Sequence, residues 1–202
     1  ALGVSQSSVR VIAPKIGGGF GCKAGVSMEA LVVAIASKTK GRPVKLALTR
    51  EEEFYTAFVR QELIGYYKMG CDENGKILAM ENTYYWGGGA YTEYGVNVTR
   101  AAGYSCTGPY EVHNVKADSI CVYTNHPVGG AYRGFGMPEM HTGLEQTIDE
   151  LAYQAGLDPV EIRSINCVKD GCETVTGFKM HPTGLSQCIE ETAKAIQWGQ
   201  KS

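Results

Sequence analysis

The sequence predicts a mixed helix-and-strand protein, of α+β or α/β class, and three observations carry that reading. Near the start, a short apolar run leads into a glycine loop and then an apolar stretch of helix formers. In the middle, two strand-like runs flank an Asp-Glu-Asn-Gly turn. Towards the end, apolar residues recur at helical spacing. No internal repeat and no obvious linker interrupts the 202 residues, which suffice for one large domain or two small ones.

Taken in order, residues 9–16 read as a short apolar strand running into Gly17-Gly18-Gly19-Phe20-Gly21-Cys22-Lys23. Residues 26–37 are apolar nearly all round, which predicts a buried helix. Thr39-Lys40-Gly41-Arg42-Pro43 then supplies the basic residues, Gly and Pro that end a helix. Residues 44–48 read as a strand. Thr49, with Glu51-Glu52-Glu53 behind it, has the form of an N-cap whose first turn sets carboxylates against the positive end of the helix dipole. Residues 62–70 and 76–86 form two strands about Asp72-Glu73-Asn74-Gly75, and 115–123 form another; the loop-rich residues 87–109 receive no element. Met140, Leu144, Ile148 and Leu151 predict a helix over 138–154. Asp158-Pro159 opens a short helix as N-cap and first-position proline, and a last one covers 184–196.

Composition narrows the function. Net charge is −2 with no Lys/Arg-rich run, which argues against a nucleic-acid partner. No apolar run approaches the ~18 residues of a membrane span, and no charged leader precedes an apolar stretch. Seven cysteines, an odd number spread through the chain, do not resemble a secreted disulfide framework. Cys167 and Cys172 form a C-x4-C pair without the second pair or spaced His that a four-ligand metal site needs. The expectation is a reduced, cytoplasmic protein without membrane contact. Ala1 stands where an initiating Met would, so the chain is expected to be part of something longer.

The 26 glycines concentrate in loops, and two loops stand out. The first is residues 17–23; the second is Gly129-Gly130-Ala131-Tyr132-Arg133-Gly134-Phe135-Gly136. Glycine lets backbone approach a ligand closely and expose its N–H groups as donors. Strand, glycine loop and helix in succession aim those donors and a helix dipole at an anion. The first loop is neither a dinucleotide fingerprint, since its third glycine is out of register, nor a Walker loop, since no Ser or Thr follows Lys23. In the second, Arg133 lies between two aromatic rings, a combination suited to a planar ligand with a carbonyl or phosphate. Two such loops more than a hundred residues apart suggest one bulky polar ligand gripped from two sides.

GGGFGCK and GGAYRGFGMPE together resemble the molybdenum hydroxylases, the xanthine dehydrogenase and aldehyde oxidase family. Thr49-Arg50-Glu51-Glu52-Glu53, Tyr67-Lys68-Met69-Gly70, Ile148-Asp149-Glu150-Leu151-Ala152, the run from Gly156 to Arg163, and Asn166 extend the likeness over almost the whole chain. The resemblance implies an α+β fold, a mixed sheet with packed helices, and makes residues 1–202 a partial molybdopterin-binding domain, the first half of the molybdenum-binding region. It implies a molybdenum–molybdopterin cofactor, with the cytosine dinucleotide form as one alternative, held by Gly18, Gly19, Phe20 and Gly21 of the first loop and by Ala131 and Arg133 of the second. Phe135 falls where the family stacks an aromatic substrate, and Arg60 where its purine-oxidising members keep a substrate-orienting arginine. The implied reaction is hydroxylation of an aldehyde or an N-heteroaromatic (xanthine- or nicotinate-like) substrate, with water as oxygen source and a glutamate as general base.

Two departures qualify this. Ala24 stands where purine-oxidising members carry glutamate, which turns the expectation from xanthine towards aldehydes, nicotinate-like heterocycles or an aromatic thioester; Cys22 replaces the usual glycine. The Gly-Glu motif of the general base has no counterpart after Gly136, Glu139 and Glu145 reading as helix residues. The isolated chain is therefore expected to be inactive, and the alternative reading is a non-catalytic fragment or structural remnant of that fold that binds no cofactor by itself. Its expected partners are the molybdenum-domain segment bearing that glutamate and the subunits carrying iron–sulfur clusters ([2Fe-2S]) and FAD, for which the cysteines here lack the spacing.

Overall fold

A hairpin closed by Asp72 organises the fold. In the computed structural model, which describes residues 3–26 and 28–199, the Asp72 carboxylate accepts hydrogen bonds from the Asn74 and Lys76 amides while Gly75 turns at φ 79°. The turn joins β1 (Leu63–Cys71) to β2 (Ile77–Gly89) in antiparallel register, Leu63 opposite Trp86. Strand β3 (Asn114–Tyr123) lies parallel along the other side of β2, so the sheet is mixed, in the order β1-β2-β3. A parallel neighbour requires a crossover. It is made through the helix Gly95–Tyr104, inside the stretch that received no element from sequence.

Among the described residues, six α-helices accompany the sheet: α1 (Glu29–Lys38), α2 (Arg50–Thr56), α3 (Gly95–Tyr104), α4 (Met137–Ala155), α5 (Pro159–Asn166) and α6 (Leu185–Ala195); a 3-10 turn covers Gln6–Ser8. The core lies between the sheet and α3 and α4. Met80, Tyr84 and Trp86 alternate along one face of β2 and meet Val98 and Ala102 of α3 and Met140, Leu144 and Ile148 of α4. Each such side chain, fully removed from water, contributes roughly 1.5–3 kcal/mol. Tyr67 enters the same core from β1. Its hydroxyl donates to the Met140 carbonyl at 2.8 Å, and burial pushes its pKa up to about 12. Trp86 donates to Ser119, and Ser119 to the Thr99 carbonyl, tying β2, β3 and α3 together.

Helix ends follow the predicted chemistry. Thr49 and Glu52 form a reciprocal capping box on α2, and Asp158 caps α5 by accepting from Val160 and Glu161. Asn166, buried at the end of α5, donates to the Gly75 and Ile162 carbonyls and accepts from the Ile77 amide, so α5 is pinned to the hairpin turn. Arg163 clamps α5 to α4 through Glu145 and Asp149.

Three expectations need correction. Residues 9–16 and 44–48 are not strands; their backbones join no sheet among the described residues, and a strand exists only beside a partner. The helix predicted over 26–37 forms from Glu29, with Ser27 outside the described residues, but none of its side chains is buried. Its all-round apolar character therefore does not correspond to a place in this core.

Candidate functional site

The two glycine loops meet. A Cβ placed on Gly21 would lie 2.8 Å from both the carbonyl carbon and oxygen of Ala131 and 3.0 Å from the Tyr132 nitrogen. Only glycine permits that approach at φ 98°. Each loop carries the same bend: Phe20 and Phe135 sit in left-handed conformation at φ 51° and 52°, followed by Gly21 and Gly136 at 98° and 91°. A phenylalanine in that region costs free energy and persists only where the surrounding structure holds it.

The donors at this junction are unspent. Among the described residues, the amides of Gly18, Gly19, Phe20 and Gly21, and those of Ala131, Tyr132 and Arg133, donate to no protein atom. Successive free N–H groups are the donors from which an anion-binding site is built. The rest of the first loop is held internally: Lys23 Nζ donates to the Gly18 carbonyl at 2.7 Å and the Cys22 thiol to the Gly19 carbonyl at 2.9 Å. Lys23 is therefore a brace within its own loop.

The second loop is fastened from below. Gly129 and Val59 form a parallel bridge, with Val59 donating to the Val128 carbonyl and Gly130 to the Val59 carbonyl. Gln61 packs under Gly129 and Gly95, where a Cβ on either glycine would collide with it. Glu93 wedges between the loops, its carboxylate leaving no room for a Cβ on Gly25 or Gly130 and accepting from the Tyr94 amide. These residues were missed in the sequence because none is near a glycine motif in the chain.

Of the sequence-predicted residues, Gly21 and Ala131 are in contact, and Arg133 follows two positions on with its amide free. Gly18 and Gly19 lie partly buried, while the Phe20 ring is exposed. Phe135 is half-buried, edge-on to Tyr94 with ring centroids 6.5 Å apart, and packs against the core. Arg60 is engaged within the protein. Its Nη2 donates to the Arg133 carbonyl at 2.7 Å and its Nη1 to Glu139 at 3.0 Å, and its guanidinium lies 4.6 Å from the Tyr132 ring centroid. Glu139, read from sequence as a plain helix residue, is part of this site. Its Oε2, like Gln61 Oε1, is buried without a donor.

Side chains here offer no metal-ligand cluster: no group of three or more His, Cys, Asp or Glu gathers among the described residues. What the site offers is backbone donors plus buried acceptors, a set that fits a large polar organic ligand carrying its own metal. Residues 1–167 match the family described as the molybdopterin cofactor-binding domain. The chain belongs to that family. It is 35% identical over 198 residues to the nicotinate dehydrogenase large molybdopterin subunit of Eubacterium barkeri, covering 97% of this chain and 46% of that protein. It is 34% identical over 202 residues to a putative xanthine dehydrogenase molybdenum-binding subunit of Escherichia coli (strain K12), covering 100% and 27%. Among solved structures, the aldehyde oxidoreductase of Desulfovibrio desulfuricans superposes with a TM-score of 0.85 at 32% identity, covering 90% of this chain and 20% of that one. The chain thus spans less than half the length of these relatives.

The family is that of xanthine dehydrogenase and aldehyde oxidase, and the molybdopterin cofactor-binding domain has the α+β architecture with mixed sheet that the resemblance implied. No helix among the described residues is long and apolar enough to cross a membrane.

Proposed function

We propose that this chain is the first half of the molybdenum-binding region of an oxidoreductase that hydroxylates an aldehyde or N-heteroaromatic substrate. The observation that carries the reading is the Gly21–Ala131 contact, which sets two rows of unspent backbone amides side by side. In it, Gly18, Gly19, Phe20 and Gly21 hold the molybdopterin from one side, and Ala131 and Arg133 from the other through their amides. The bound cofactor supplies two-electron oxidation chemistry with water as the oxygen source. The chain's own part is to bind, orient and exclude water: amides fixed by folding lose no reorganisation energy when they meet developing negative charge. Phe135, steadied by Tyr94, is the proposed wall for a planar substrate. Among the described residues, the two carboxylates beside the second loop are both engaged, Glu139 by Arg60 and Glu93 between Gly25 and Gly130. The general base, the iron–sulfur clusters and the flavin belong in this reading to partner segments or subunits. Ala24 favours an aldehyde or nicotinate-like substrate over xanthine.

The test is the cofactor. Protein isolated under native conditions from cells that make molybdopterin is expected to carry close to one molybdenum and one pterin per chain. Protein free of both, from cells whose other molybdoenzymes are loaded, would leave a non-catalytic relative of the fold and sink the proposal.

A further inference from the structure

The Arg60 guanidinium makes three contacts with the second loop and its root. It donates to the Arg133 carbonyl, stacks over the Tyr132 ring, and is locked from behind by Glu139 in the first turn of α4. Two of these contacts fall on Tyr132 and Arg133, which belong with Ala131 to the row of residues whose amides are unspent. Arg60 itself comes from the segment that leads into β1, immediately after the Val59–Gly129 bridge, so the clasp joins the sheet edge to the loop. A planar fork with two separate nitrogens can hold a carboxylate and a carbonyl at once; an ammonium is a point charge and serves one geometry.

We infer that Arg60 and Glu139 form a clasp that sets the pitch of the second glycine loop, making Arg60 a positioning residue for cofactor retention without itself touching the cofactor. The inference rests on the function proposed above and assigns Arg60 a part different from orienting substrate. Its physical logic is preorganisation. Three consecutive donors grip a ligand well only when the peptide planes are held before the ligand arrives, and a loop free to rotate spends binding free energy on its own ordering. The clasp acts on the loop at the Arg133 carbonyl, which belongs to the peptide that follows the donor row, and at the Tyr132 ring within the row.

Three changes separate positioning from folding. Arg60→Lys keeps a cation for Glu139 and gives up the second hydrogen bond and the stacking. Arg60→Met with Glu139→Leu removes both charges together, so that no buried carboxylate is left alone to unfold the protein. Glu139→Gln keeps an acceptor for Nη1. The intact enzyme containing each change is purified alongside the unaltered one. Molybdenum is counted per chain, the half-time of pterin release is followed by fluorescence after dilution, and the melting midpoint of cofactor-stripped protein is measured. The expected result is at least a five-fold faster release and matching loss of molybdenum in Arg60→Lys and in the double variant, with stripped midpoints close to the unaltered protein, while Glu139→Gln stays within two-fold. Release unchanged in Arg60→Lys and the double variant, or changed only in step with a lowered midpoint, overturns the clasp while leaving the site intact. An unaltered protein without molybdenum or pterin overturns the site and the clasp together.

Discussion

Alanine at position 21 would set a methyl carbon 2.8 Å from the Ala131 carbonyl, in a backbone conformation at φ 98° that an L side chain resists. Neither partner can yield, because both are main chain. Gly21→Ala is therefore expected to destabilise by about 2 kcal/mol and to abolish molybdenum retention, as measured by urea unfolding and by metal content. Gly17, whose added Cβ would meet open space, makes the control: Gly17→Ala is expected to change neither. Residue-level roles were legible in the sequence where the chemistry is local. The loop glycines, the Thr49 and Asp158 caps and the Asp72 turn all announce themselves within a few positions. Arg60 and Glu139 do not, since they are 79 residues apart and only the fold pairs them.

Among the elements, α4 shows two principles in opposition. Gly143 lies within this helix, where alanine would gain about 1 kcal/mol of helix propensity. The same Cβ would come within 2.3 Å of the Tyr67 ring, which is anchored by its hydrogen bond to Met140. Overpacking costs roughly 1–3 kcal/mol and loss of the hydrogen bond about 1 more, so Gly143→Ala is expected to lower the urea midpoint despite its better propensity. Elements were legible when one face of a repeating pattern is buried by this chain alone. The hairpin and α4 meet that condition. Helix α3 was hidden because Gly95, Asn97, Thr99 and Gly103 depress its propensity; the Val98–Ala102 spacing was its one signal, and packing against β3 makes it a helix. Residues 9–16 failed in the other direction, having strand composition without a strand neighbour.

At the scale of the whole molecule, that failure leaves a surface. Val11 is 88% and Ile12 69% exposed, and α1 presents Leu31, Val33 and Ile35 to solvent nearby in the chain. Apolar area of this extent drives association. The chain by itself is expected to self-associate in sedimentation at micromolar concentration, and Val11→Lys with Ile12→Glu is expected to reduce that association without lowering the melting midpoint, since little packs on either side chain. The family and its cofactor class were legible because two short loops carry them; the way the loops touch was not, because it depends on every element between. That dependence fixes an order in time. Gly21 leaves the ribosome more than a hundred residues before Ala131, and the contact waits on a parallel β2–β3 pairing that loop closure makes slow. The first loop is thus made long before it has anything to close against, and the two rows of amides cannot stand side by side until residues far along the chain have followed it.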